Sequence, residues 1–540
     1  MAASPFPQRV VMLLALILGS AWGAEADELG SITFPNSGSA EAQQAFLTGV
    51  KALHSFQFDE ARFAFEDAQE IDPGFALAYW GQAMSDNHPL WAQQDEPAAT
   101  AALQRLAPTF EGRLAKAPTE KEKAFLTAVE ILYYSANDKL TRDTNYAKHM
   151  GDMHERWPDD DEIAIFYSLS QLGMVRRGDR GYRRQAKAAS IALQVFERNP
   201  NHPGAAHFII HAFDDPDHAI LALPAARVYA GIAPASAHAL HMPSHIFLQL
   251  GMWDDVVNSN VVAYKAAVQT NRKYGLPEGR EDFHTLSWLA YANLMLGHYE
   301  RAAENVSQAR AAVDRNPGAK RIYNGYLLMR ARHIIETGQW EAIDYGAADS
   351  MDGGNPHWVA TAGMSAAHLD MPAKAMDAQS RLEELRASAE ARGNDYNARL
   401  ISVLEHQLAA LRLLKAGDKD RAIEHAATAA EMEVEYLRVP SGPPMPITPA
   451  SELYANILLE TGDPTGAVEA YRAALDWVPN RTPSMLGLAR AATEAGDLET
   501  AQATYTRLCE MPGANPQGPV IQAAKSAACR DAVSSTSGGG

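Results

Sequence analysis

The sequence predicts an all-α protein built as a stack of helix pairs, and three observations carry that reading. Laid over itself at a shift of 34 residues, the segment from Pro200 to Gly251 places Pro200 on Pro234, His207 on His241 and His211 on His245. A fixed period of that size marks an architecture in which each unit is one helix hairpin. At 540 residues the chain is also too long for one compact core but suits an array that buries a continuous core by stacking. The composition, 47% hydrophobic and 21% charged with abundant Ala, is that of a helical globular protein.

The ends of the chain bound its context. Arg9 precedes the apolar run from Val10 to Leu18, and small residues follow to Ala26, the layout of a secretory signal peptide cleaved after Gly23 or Ala26. The run is well short of the ~20 residues a membrane helix needs. Residues 1–23 are therefore read as a signal peptide, and the mature chain as periplasmic or secreted with no membrane span. A net charge of -19 argues against nucleic acid or an anionic membrane as partner, since both require a basic surface. The two cysteines, Cys509 and Cys529, are free to bridge in such a compartment, which would contribute about 3 kcal/mol, or to remain thiols.

In chain order, residues 24–40 read as a polar tail and residues 41–200 as N-terminal repeats. Gly49, Phe58, Ala61, Phe65, Ala68 and Pro73 recur as small, aromatic and proline positions, the small ones letting helices approach and the proline ending the second helix. Trp80 and Gly81 restart the pattern. His88, before Pro89, is read either as a helix-terminal cap or as a groove residue. The run Asp159, Asp160, Asp161 after Pro158 reads as an acidic helix start, where carboxylates favour the helix dipole.

Residues 201–310 form the histidine-rich centre, in which Gly251, Trp253 and Val256 recur as Gly297, Tyr299 and Ala302. Residues 311–438 continue the pattern through Gly338, Trp340, Gly417 and Ala422. The proline-rich stretch 439–449 is read as an extended connection, or as a segment laid into the inner groove as a built-in ligand. Residues 450–511 make a clear final pair, with Ala467 and Tyr471 repeated as Ala501 and Tyr505. Residues 512–533 are expected to cap the stack and residues 534–540 to be disordered.

On these residues the chain resembles the tetratricopeptide repeat (TPR) superfamily over most of Glu41 to Met511. The strings NHPLW, HPGAAHFIIH, HMPSHI, DFHTLSW and the GPP-containing link also resemble a group of exported bacterial proteins with such repeats. The resemblance implies a right-handed superhelix whose concave groove is lined by the first helix of each pair, with the second, fifth and ninth positions pointing inward. Those positions hold His238 and His284, then His207 and His241, then His211 and His245. Superfamily members that clamp a peptide carboxylate use Lys and Asn there, and this chain departs from them.

Histidines four apart lie on one helix face, and neighbouring helices ~8 to 10 Å apart bring two such stripes within reach of one ion. His207, His211, His241 and His245 are the expected ligands of a transition metal, Zn or Cu, with His238, His284 and His88 as further groove residues. Metal-bound imidazoles donate their second N–H to an oxygen, and Asp214 and Asp215 are the nearby acids for that role. Pro243 should start or kink the helix carrying His245. No HExxH, GxSxG or phosphate-loop motif is present. The expected function is a metal-binding scaffold for a protein, peptide or small molecule. The alternatives are a periplasmic metal enzyme, a copper or iron oxidoreductase or a zinc hydrolase, and a metal-free interaction module.

Overall fold

The computed structural model describes residues 27–176, 181–343, 345, 354–437 and 441–527. The signal-peptide reading and Cys529, with the disulfide it would close, lie outside these residues. Among the described residues twenty-five α-helices follow one another, nearly all packed against their neighbours in the chain, and the strands are two dipeptides, Asn87–His88 and Gln93–Gln94. The expectation of an all-α hairpin stack is confirmed.

The local causes are those of the repeat. The helix Phe58–Ile71 buries Ala61, Phe65 and Ala68 on one face, against the helices Gln43–His54 and Ala76–Ser85. Phe65 lies against Gly81, where an added Cβ would sit 2.3 Å from its ring, so only glycine admits the contact. Thr119, Asp160, Ser236, Asp463 and Asp497 cap helix starts by accepting backbone N–H groups. Asp160 and Asp161 also pair with Lys121 and Arg198, as a solvated helix start should.

Three features are not those of an open stack. Asn87 to Gln94, expected as a helix end, is a small hairpin around a 3-10 turn, because Pro89 removes a backbone donor. Residues 30–37 run without helix or strand against the N-terminal helices: Ser31 N donates to Asn201 O, and Phe34 packs on Phe46, Trp80 and Phe125. Residues 441–449, a series of bends, also pack against helices. Ile447 is buried with Phe283, Leu286 and Trp358, Gln407 donates to Thr448 O, and a Cβ at Gly442 would lie 3.0 Å from Trp288.

The stack also closes on itself. Trp253 Nε1 donates to Asn480 O at 2.8 Å and Asn515 N to Leu296 O at 2.7 Å, joining the last repeats to the central ones. Behind this seam lies buried Arg481, whose guanidinium donates to Glu452 at 2.7 and 2.9 Å and pairs with Glu336 at 2.8 Å.

Candidate metal centre

The helix Pro203–Ala212 starts at His202, whose Nδ1 accepts from Ala205 N, with Pro203 at its first position. It presents His207 and His211 one turn apart. The next first helix is broken: Ala237–His241 ends at Met242, and Pro243 opens Pro243–Gln249. The break turns the backbone N–H of His245 to Met242 O instead of His241 O but keeps the two rings 5.0 Å apart. His284 and Glu281 come from Glu281–Met295.

The four histidines expected to share one ion do not form one set. They divide into two trios, His207 with His211 and His238, and His241 with His245 and His284, each offering three ligand atoms within 4.8 Å of one another. The trios are repeat-equivalent. Each takes the fifth and ninth inward positions of one first helix and the second position of the next, so the second trio is the first moved along by one repeat.

The nitrogen chemistry is consistent across the chamber. His207 Nδ1 donates to the His54 carbonyl at 2.6 Å, and its Nε2, like those of His211 and His238, is buried without a partner. His238 Nδ1 faces Glu281 Oε1 at 3.2 Å. His241 Nδ1 faces Asn260 Oδ1 at 2.7 Å; the amide nitrogen of Asn260 is committed to Val256 O, so the oxygen accepts and the imidazole donates. His241 Nε2 therefore carries a lone pair, and it points at His245 Nε2 only 3.1 Å away. His245 Nδ1 meets Asp214 Oδ2 at 2.7 Å, and Gln249 donates to the other oxygen of that carboxyl.

Burial, and then mutual repulsion among the imidazoles, holds His207, His211, His241 and His245 well below the usual histidine range, so all four are neutral, the form that ligates. Burial pushes Asp214 up to about 7 against the hydrogen bond from Gln249. Burial also raises Glu281, but His238, His284 and His241 outweigh it and hold that carboxyl below its usual range. An aromatic ring closes each trio. Phe56 lies 4.4 Å from the His207 ring centroid and Trp288 lies 4.4 Å from that of His245. His284 is exposed and His211 half-buried, which leaves the chamber open to solvent on their side.

The other expected residues fall elsewhere. His88 stacks on Phe58 at 3.9 Å in a separate polar pocket with Asp59, Asp86, Asp95 and Arg280. Asp215 accepts from the backbone N–H of Asp217 and His218 and faces the His218 ring, and so shapes a turn rather than supporting a ligand. Sequence reasoning missed Asn260 and Phe56, which come from a distant helix and a distant turn, and Glu281 and Trp288, which lie three before and four after His284 on its own helix, a spacing that could have found them. It also missed a fully buried third group, His54, Glu162 and His202, in which the carboxylate lies 2.8 and 3.3 Å from the two rings. Burial raises Glu162, but the two imidazoles outweigh it and bring it down to about 2.

Family models for tetratricopeptide repeats match residues 408–482 and 458–527. The chain carries tetratricopeptide repeats. No curated protein matches it. Among solved structures, this repeat protein is similar to the TPR domain of P58(IPK), with 14% identity over 85% of this chain and 99% of that one and a TM-score of 0.20. It is also similar to the human IFIT1 dimer with m7Gppp-AAAA, with 13% identity over 88% and 90% and a TM-score of 0.33. The APC/C hetero-tetramer Cut9-Hcn1 is 12% identical over 85% and 78%, with a TM-score of 0.35. At such TM-scores nothing about ligand or partner follows from the likeness.

Proposed function

We propose that this repeat protein is a scaffold that holds a transition metal, zinc or copper, in its histidine chamber and presents it to a protein, peptide or small molecule outside the cytoplasm. The facing Nε2 atoms of His241 and His245 carry this reading, because two imidazole nitrogens 3.1 Å apart share a proton when empty and can turn their lone pairs to one cation when it is bound. Occupied Nδ1 atoms on His207, His238, His241 and His245 support it, since they orient the rings as in sites that bind metal through Nε2.

Metal analysis of protein purified from its native compartment tests the reading. Stoichiometric metal is expected in the wild type and should be lost when both His207 and His241 become Ala. Metal retained in that double variant would place the site elsewhere. A second reading, a metal-dependent enzyme, is favoured by one observation: a three-histidine set leaves a coordination position open for water or substrate. Turnover by the metal-loaded wild type that is absent from the metal-stripped protein would decide for the enzyme.

A further inference from the structure

We infer that the chamber binds two metal ions, one in each trio, and that a single oxygen ligand joins them. The inference rests on the metal reading above and adds stoichiometry and coupling to it. The repeat translation is its first support. Whatever geometry makes His207, His211 and His238 a three-nitrogen set is reproduced one repeat later by His241, His245 and His284. A chain that used one ion would need only one of these sets.

Proximity is the second support. Ring centroids of His211 and His245, from different trios, lie 6.1 Å apart, and those of His238 and His241 lie 6.3 Å apart. Rings this close are compatible with two ions at the ~3.5 to 4 Å separation of two-metal sites. Three nitrogens leave each ion short of four ligands, so one shared oxygen could complete both. A water that does so loses a proton to solvent and stays as a bridging hydroxide.

Charge is the third. Two divalent ions need anions, and each trio has one carboxyl group against a member ring, Glu281 on His238 at 3.2 Å and Asp214 on His245 at 2.7 Å, which bound cations would hold ionised. With the bridging hydroxide they leave only a small net charge. Phe56 and Trp288, one to each trio, exclude water from the two outer sides.

The test is copper(II) added to the metal-stripped full chain, in a His406→Ala, His425→Ala background. Those two rings, with Nδ1 atoms 3.0 Å apart, are a separate half-buried pair that would bind copper adventitiously. Two equivalents should bind, with the paramagnetic resonance intensity falling below a tenth of the copper present, because the bridge couples the spins. His284→Ala, at an exposed position, should bind one equivalent with full intensity, and His207→Ala should do the same. Two ions with full intensity, or one ion in the background protein, would overturn the pairing while leaving the metal reading in place. No bound copper in the background protein would overturn both. Unchanged helical circular dichroism in the exposed-site variant confirms that any loss is one of ligands rather than fold.

Discussion

Asn260 shows how much one side chain outside the histidine stripes contributes. It donates to its own helix at Val256 O and turns its oxygen to His241, which decides the tautomer and hence which nitrogen is free to ligate. Asn260→Ala should leave the helix content unchanged and weaken metal binding by roughly 10 to 100-fold, the usual cost of losing such a partner. Competition titration against a chelator measures it, and unchanged affinity would mean that His241 is not a ligand. The sequence offered no route to Asn260, because the two residues meet only when Trp253–Tyr274 packs on Ala237–His241. Asp214 was within reach, three residues after His211, yet its partner is His245, on the next first helix.

At the scale of the element, the small residues of the repeat decide how closely helices pair. Gly487 in Thr482–Ala495 is the counterpart of Gly81: a Cβ there would lie within van der Waals overlap of the Tyr471 ring, as a Cβ at Gly81 would of Phe65. Gly487→Ala should destabilise the C-terminal pair by about 1–3 kcal/mol through overpacking. Chemical denaturation of the full chain reads this, and an unaltered midpoint would show that the tyrosine can move aside. Element boundaries were legible wherever a proline or a cap dictated them, as at Pro243 and Asp160. The hairpin at Asn87 to Gln94 was not, because its pairing depends on Asp86 O accepting from Asp95 N across the turn.

At the scale of the molecule, the seam around Arg481 holds the last repeats against the centre that carries the metal chamber. Arg481→Ala would strand two buried carboxylates, Glu452 and Glu336, and should cost about 3–5 kcal/mol. Burial already pushes Glu336 up to about 7 against the pull of Arg481, and removing the guanidinium raises it further. A carboxyl whose value is raised on folding loses stability as pH rises from its unfolded to its folded value, so the deficit should grow from pH 5 to pH 8. Thermal unfolding at the two pH values measures it. A deficit that shrinks with pH would mean that the carboxylates find another cation.

What the sequence determined by itself is everything that repeats. The period of 34 residues dictates the helix hairpins and spacing puts the histidines of each first helix on one face, while the resemblance to the repeat superfamily implies that all six stand at inward positions. The grouping of those histidines belongs to the tertiary structure. Spacing suggested that the fifth and ninth positions of adjacent helices would face each other, whereas the offset between first helices brings the second position of the following helix to each pair instead. Closure of the stack, the packing of residues 30–37 and 441–449 on the helices, and the ring of Phe56 over the first trio likewise have no local signature. They arise from contacts between residues far apart in the chain, whose burial outweighs what each segment would prefer alone.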